Sequence, residues 1–442
     1  MDIGTQTSPT PRICIAGLVG QSATGKSTLL ETLLGNEPYG RMEPTLRLKC
    51  AYAKIYNCSS SHAECYRSCS RIVDIAEHQC DTPGHELNPV SVQKHVSFVD
   101  CPGNMLYVST MLAGIMMTDG VLVLSKPSVD FYLAPTCAVL AAASIMGKSI
   151  VVLQNCTEEE SANKTKIKES LRQIQQFTRL IVSIEVPIVR LSVRDKTSSK
   201  IAELCSRINN MSTPEQDVTS PALMIIANST CDPEGSENSD ETLLVTIHGR
   251  VMQGVISPNQ ETEVRPGIVK VGEDGKAVSC PIILKVVAIM EDAAVSGQVV
   301  ALRAAANIRN DDQLKSVIKG GLGGHVLGQV GSLPAVYSAL KVKFSLVRKM
   351  FNPYSEELEK VEAIEKDQDL LLTIGAMSTH GKVHSITEDM MVVSALTPPS
   401  CARKEERIFI SRKQELAWNL IGHGEIIGGK SVAVVERSFP AD

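Results

Sequence analysis

The sequence predicts an α/β domain built on a mainly parallel sheet, followed by two β-barrels. Three observations carry that expectation. Between Gly120 and Ile208, β-branched apolar runs alternate with amphipathic segments of helical length, the pattern of βαβ units. From the Ser/Thr/Pro-rich stretch Ser212 to Pro221 onward the helical pattern stops, and short β-rich runs separated by Gly, Pro and Asn take over. A second change follows Gly331-Ser332-Leu333-Pro334 and divides those runs into two sets. A chain of 442 residues is too long for a single core. The expected domains are residues 1–218, with a cysteine-rich insertion at 57–92, then 219–334 and 335–442.

In chain order, Ile13 to Leu34 reads as strand, loop and helix. Within it Gly20, Gly25, Lys26 and Ser27 satisfy G-x-x-x-x-G-K-[ST], the loop whose backbone N–H groups cradle phosphate oxygens. The Lys reaches the outer phosphates and the Ser hydroxyl binds Mg²⁺, while glycines let the backbone approach. Ala23, Thr24 and Thr28 complete the loop's reach toward a nucleotide. Thr45 to Tyr56 is partly alternating and β-like, and Asn57 to Val92 is irregular. His95 to Cys101 is a buried strand, with Asp100 at the carboxyl end where open α/β sheets place ligand chemistry, the right place for a magnesium-linked carboxylate. Strands at Gly120 to Leu124, Ser149 to Gln154 and Ile188 to Leu191 then alternate with helices at Ala134 to Met146, Ala162 to Phe177 and Ser199 to Ile208. The barrel runs are Leu243 to Ile247, Glu261 to Val264, Ile282 to Met290 and Val299 to Arg303, then Leu340 to Leu346, Leu370 to Ile374 and Met391 to Leu396.

Composition excludes several classes. The net charge of −5 argues against a globally basic nucleic-acid binder, so RNA contact would use local patches. Apolar runs such as Met111 to Met117 are too short to span a bilayer, and Met1 to Arg12 lacks the cationic and apolar regions of a leader. The expectation is a soluble, cytoplasmic protein with no membrane partner. Of thirteen cysteines, Cys14, Cys101 and Cys137 lie in strand-like or helical runs, as buried thiols do.

The chain resembles the gamma subunit of eukaryotic and archaeal translation initiation factor 2. The resemblance is carried by Ala51 to Tyr56 (AYAKIY), His95 to Gly103 (HVSFVDCPG), Val264 to Val269 (VRPGIV), Val326 to Pro334 (VLGQVGSLP) and Trp418 to Ile426 (WNLIGHGEI). It implies an α/β P-loop GTPase domain followed by two β-barrel domains, GTP and Mg²⁺ as ligands, and hydrolysis of GTP to GDP and phosphate. It also implies delivery of initiator methionyl-tRNA to the small ribosomal subunit, and a heterotrimer in which this subunit is the core for alpha and beta subunits. Carried across by position, Gly20, Gly25, Lys26 and Ser27 hold phosphates, Ser27 and Thr45 bind Mg²⁺, Asp100 supports it through water, and Gly103 meets the γ-phosphate. Read without the resemblance, Thr45 is a strand threonine.

The sequence departs from the family in four places. Where the base-reading Asn-Lys-x-Asp belongs stands Asn155-Cys156-Thr157-Glu158, which keeps only the Asn, so weaker guanine selectivity is expected; Glu158 to Glu160 also reads as an acidic helix start. Ser192-Val193 takes the place of the family's Ser-Ala base loop. Asn104 stands where the family has the water-positioning His, which predicts a slow GTPase. Only nine residues separate Gly35 from Thr45.

The insertion resembles the family's zinc knuckle, with Cys58, Cys65, Cys69 and Cys80 as thiolates and His78 or His85 as substitutes; without a C-x-x-C pair it reads equally as a loop of unligated cysteines. Candidate tRNA-phosphate contacts are Arg403, Lys404, Arg407, Arg412 and Lys413, with Lys341, Lys343, Arg348 and Lys349, and the alternative for each is a solvated barrel face. Three functions stay open: a GTP-switched carrier of initiator tRNA, a degenerate paralogue that keeps scaffold and subunit contacts without turnover, and another tRNA-carrying translational GTPase.

Overall fold

Alternating strand and helix in the first half of the chain build a seven-stranded sheet, seen in a computed structural model. It describes residues 12–20, 24–35, 48–60, 62–70, 79–127, 134–157, 163–182, 185–195, 199–231, 242–272, 276–290, 294–308, 311–352, 357–414 and 417–435. Ala23, Thr45, His78 and Glu158 lie outside the described residues.

The elements are β1 (Arg12–Val19), α1 (Lys26–Leu33), β2 (Lys49–Cys58), β3 (Arg67–Cys69), β4 (Val90–Asp100), α2 (Val108–Met116), β5 (Gly120–Ser125), α3 (Ala134–Ile145), β6 (Ser149–Asn155), α4 (Lys164–Val182), β7 (Ile188–Leu191) and α5 (Ser199–Asn209). Spatial order is β3-β2-β4-β1-β5-β6-β7, parallel from β4 to β7, with β2 antiparallel to both its neighbours. Successive side chains of a strand face opposite sides, so β5 feeds two cores. Val121 and Val123 pack with Met111 and Leu112 of α2, Leu140 of α3 and Phe177 of α4. Leu122 and Leu124 pack with Leu29 and Leu33 of α1 and Leu204 and Ile208 of α5. Burial on both faces is why β5 reads as an unbroken apolar run. Helix α2, absent from the sequence reading, is the apolar stretch around Met111; it is buried on nearly every side, so it shows no polar face to betray a helical period.

The second half closes twice. Strands β8 (Leu223–Cys231), β9 (Thr242–Gln253), β10 (Val255–Ile256), β11 (Glu261–Val271), β12 (Ala277–Ile289), β13 (Ala294–Val295), β14 (Val299–Asn307) and β15 (Val326–Gln329) include a six-stranded barrel in the order β11-β15-β8-β9-β14-β12, sealed by β12 against β11. Helix α6 (Asp312–Gly320) interrupts the run of strands, capped by the Asp311 carboxylate, which accepts from Leu314 N–H at 2.8 Å. Then follow β16 (Val336–Leu346), β17 (Lys349–Asn352), β18 (Glu357–Lys360), β19 (Asp369–Ile374), β20 (Met377–Ile386), β21 (Met390–Thr397), β22 (Ser400–Cys401), β23 (Arg407–Gln414), β24 (Ala417–Ser431) and β25 (Ala433–Val434). The second barrel runs β21-β20-β19-β23-β24-β16 and closes through β16 on β21. Closure pairs both edge strands of each six-stranded barrel. The chain then returns to the first barrel, where β25 pairs parallel with β12.

Buried polar contacts join these bodies. Arg250 of β9 donates through Nη2 to both carboxylate oxygens of Asp119, at 2.7 and 2.9 Å, and through Nη1 to the Met117 carbonyl at 2.8 Å, fastening the first barrel to the turn between α2 and β5. Arg265, in the VRPGIV stretch, donates to the carbonyls of Leu333 and Pro334 at 2.8 and 3.0 Å, and Glu263 accepts from Gly331 N–H at 2.8 Å. Two of the stretches that carried the resemblance therefore meet at the link between the barrels.

Candidate functional site: a phosphate loop facing a rebuilt base wall

At the carboxyl ends of β1, β5, β6 and β7 lies a cavity of about 950 Å³. One wall is Gly25, Lys26, Ser27 and Thr28; the other is Asn155, Thr157, Ser192, Val193, Arg194 and Asp195, with Lys126 between. Open α/β sheets bind ligands at this edge.

Gly25 has φ +104, in the left-handed region, and a Cβ there would stand 2.6 Å from Asn155 Nδ2. Only glycine gives the loop that turn against that neighbour. Asn155 itself bridges the walls: its Nδ2 donates to the Thr24 carbonyl at 2.8 Å and its Oδ1 accepts from Val193 N–H at 3.1 Å. Thr32 of α1 donates through Oγ1 to the Val193 carbonyl at 3.1 Å, so the base loop is bolted to the helix that the phosphate loop opens. Asp195 N–H donates to the Ser192 carbonyl at 3.1 Å and closes a turn.

Lys26 Nζ donates to the Gly20 carbonyl at 2.8 Å. Burial holds its pKa below the usual lysine value, against the opposing pull of the Asp100 and Cys101 charges. Burial pushes the Asp100 carboxyl up to about 6, although Lys26 and Lys49 act to lower it. Its Oδ1 is buried and has no hydrogen-bond partner among the described residues. A buried, unsatisfied carboxylate oxygen beside a phosphate loop fits a hydrated Mg²⁺. Ser27 lines the cavity beside Lys26, whereas Asp100 is not in the lining and meets the loop through its electrostatic coupling to Lys26.

Gly103 follows that strand end, and Asn104 then turns back on itself. Its Oδ1 accepts from Leu106 N–H at 3.0 Å and its carbonyl accepts from Tyr107 N–H at 3.0 Å, opening a single 3₁₀ turn. Cys156, where the base motif calls for lysine, is buried, its Sγ within 3.8 Å of the Gln154 carbonyl, and it does not line the cavity. Lys126, Arg194 and Asp195 were missed in the sequence. The available signal was position: Lys126 directly follows the carboxyl end of β5, and Asp195 sits four residues past β7.

In the insertion, ligand atoms of Cys58, Cys65 and His85 lie within 4.8 Å of one another. Ser60 Oγ stands 2.7 Å from both Cys58 Sγ and His85 Nδ1, and Cys80 adjoins both thiols in the same buried cluster. Burial raises the Cys58 thiol, but contacts with Ser60, Cys65 and Cys80 outweigh it and bring the group down to about 6, the direction that favours a thiolate ligand. Cys69, which the spacing offered as a ligand, stands outside the group, on β3 opposite Lys54, where strand pairing fixes its place in the sheet. The group the structure brings within ligand distance is therefore Cys58, Cys65 and His85, with Cys80 beside the two thiols in the same buried cluster.

The basic candidates are dispersed. Arg412 is committed to the carbonyls of Glu362 and Ala363, at 3.1 and 2.9 Å, and Arg407 donates across to the Ile145 carbonyl at 3.4 Å. Arg348 and Lys349 line a seam against α3 and α4, and Arg403 and Lys404 line one between the barrels. Lys341, Lys343 and Lys413 are exposed on strands of the second barrel.

The family model for the elongation factor Tu GTP-binding domain matches residues 11–214, and that for the C-terminal domain of initiation factor eIF2 gamma matches residues 338–426. The chain is 32% identical over 438 residues to eukaryotic translation initiation factor 2 subunit 3 of Drosophila melanogaster, covering 95% of this chain and 89% of that protein. It is 31% identical over 439 residues to the subunit gamma of Schizosaccharomyces pombe, covering 95% and 94%. Among solved structures, translation elongation factor SelB from Methanococcus maripaludis, in complex with the GTP analogue GppNHp, superposes with a TM-score of 0.66 at 13% identity, over 95% of this chain and 80% of that one, a likeness of fold.

Proposed function

The chain belongs to the eukaryotic initiation factor 2 gamma family of translational GTPases, and on that premise we propose that it binds GTP and Mg²⁺ and delivers initiator methionyl-tRNA to the small ribosomal subunit as the core of a heterotrimer with alpha and beta subunits. The observation that carries the reading is the cavity itself: a phosphate loop on one wall, a base loop on the other, and Asn155 bonded to both.

In this reading the backbone from Thr24 to Thr28 cradles the phosphates, and Lys26 exchanges its bond to the Gly20 carbonyl for a phosphate oxygen. Ser27 and Thr45, with Asp100 acting through water, would hold Mg²⁺, which would supply charge neutralisation for the phosphates. Gly103 offers its backbone to the γ-phosphate. Asn104 holds the place from which an attacking water is oriented, but an amide carries no proton at neutral pH, so turnover is slow. Zinc in the insertion would be held by Cys58, Cys65 and His85, with Cys80 as the adjoining fourth donor, and would brace the loop between β2 and β4.

A second reading, a paralogue that keeps the scaffold without turnover, is favoured by the Asn104 Oδ1 being engaged by Leu106 N–H. Filter binding of initiator and elongator aminoacyl-tRNA, each with GTP, GDP or no nucleotide, separates the two. GTP-dependent preference for initiator tRNA is expected of the carrier. Binding indifferent to nucleotide supports the scaffold.

A further inference from the structure

The base wall of the cavity poses a chemical problem. A guanine edge presents two adjacent donors, N1–H and the N2 amino group, and is recognised by a carboxylate that accepts from both. The motif position for a cation is filled by Cys156, which is buried and absent from the lining. Among the described residues that line the cavity, Asp195 is the sole carboxylate. It is well placed to be held still: the Ser192–Asp195 turn fixes its backbone, and that loop is anchored at Val193 by Asn155 and by Thr32. Lys126 enters the same lining from β5, where the pairing of Ser125 with Gln154 sets it beside Asn155, one strand across from Cys156.

We propose that Asp195 reads the base of the bound nucleotide and that Lys126 supplies the cation packed against it, so that base recognition has moved to two residues outside the Asn155–Glu158 run. The assignment rests on the reading of the cavity as a guanine-nucleotide site. It makes a specific chemical demand. Xanthine carries a carbonyl at C2 where guanine carries the amino group, so a carboxylate accepts from guanine and repels xanthine. An asparagine in the same place donates to that carbonyl while still accepting from N1–H.

The test is equilibrium titration of the full-length protein with GDP and with xanthosine diphosphate. For Asp195→Asn, GDP affinity is expected to fall about a hundredfold and xanthosine diphosphate affinity to rise by a comparable factor, because a site built to bond one edge rejects the other. A merely structural role for Asp195 would weaken both nucleotides and produce no gain. Lys126→Ala is expected to weaken both by about tenfold with their ratio unchanged, as loss of a cation over the base does. Glu158→Gln serves as the counter-variant: if it, and not Asp195→Asn, transfers preference to xanthosine diphosphate, the assignment is overturned. If Asp195→Asn leaves the ratio at the parent value while the parent binds GDP, the assignment fails and the nucleotide site stands. A parent that binds neither nucleotide overturns the site itself, and the assignment with it.

Discussion

The two ends of the nucleotide cavity have fared differently. At the phosphate end Gly20, Gly25, Lys26, Ser27 and Asp100 match the motif position for position. At the base end one residue of four is kept, and the lining draws on Lys126, Arg194 and Asp195. The difference follows from what each end uses. Phosphates are held by backbone N–H groups, so the requirement falls on glycines and on a left-handed turn that no other residue makes cheaply. A base edge is read by side chains, and a side chain of the right chemistry serves from any element that reaches the cavity.

The comparison can be broken hardest at the phosphate end. Lys26→Ala removes the phosphate loop's own cation, and nucleotide affinity should fall about a hundredfold or more in equilibrium titration, since charge-assisted bonds to phosphate are the strong ones. Asn104→His bears on the chemistry beyond the phosphates: single-turnover hydrolysis of bound GTP should quicken by about tenfold or more, with binding unchanged. Asn155 holds the ends together, so Asn155→Ala should cost roughly 2 kcal/mol in denaturant melts by stranding the Thr24 carbonyl and Val193 N–H, and should weaken nucleotide about tenfold.

Asp100→Asn sharpens the contrast in the other direction. Replacing a buried, unsatisfied carboxylate by a neutral amide should raise the melting temperature of nucleotide-free protein, while lowering Mg²⁺-dependent GDP affinity by a few-fold. The smallest effect is expected away from both ends. Cys65→Ser should abolish zinc in elemental analysis and Cys69→Ser should leave it unchanged, neither altering nucleotide affinity.

The fold was legible where one periodicity dominated. β7 and α5 follow from alternation and amphipathicity, and every barrel run named from the sequence falls on a strand, with Met290 alone one residue past the end of β12. Helix α2 was not, because burial on nearly all sides erases the polar face that reveals a helix, and α6 was hidden in a barrel otherwise made of strands. The phosphate end was legible because its motif is local and imposed by backbone geometry. The base wall was not, since Lys126 and Asp195 are 69 residues apart and nothing in either segment announces the other. The same holds for the cysteines: spacing proposed Cys69, which lies on β3 opposite Lys54, while the fold brings His85 to Cys58 and Cys65.

An intact phosphate end and a base wall lined by Lys126, Arg194 and Asp195 together make a site for guanine nucleotide in preference to adenine nucleotide. Titrating nucleotide-free protein with GDP and with ADP, each with and without Mg²⁺, tests it most directly. GDP should bind in a Mg²⁺-dependent manner and exceed ADP by about tenfold or more, a difference of about 1.4 kcal/mol or greater. Equal affinity for the two, or binding of neither, would contradict it.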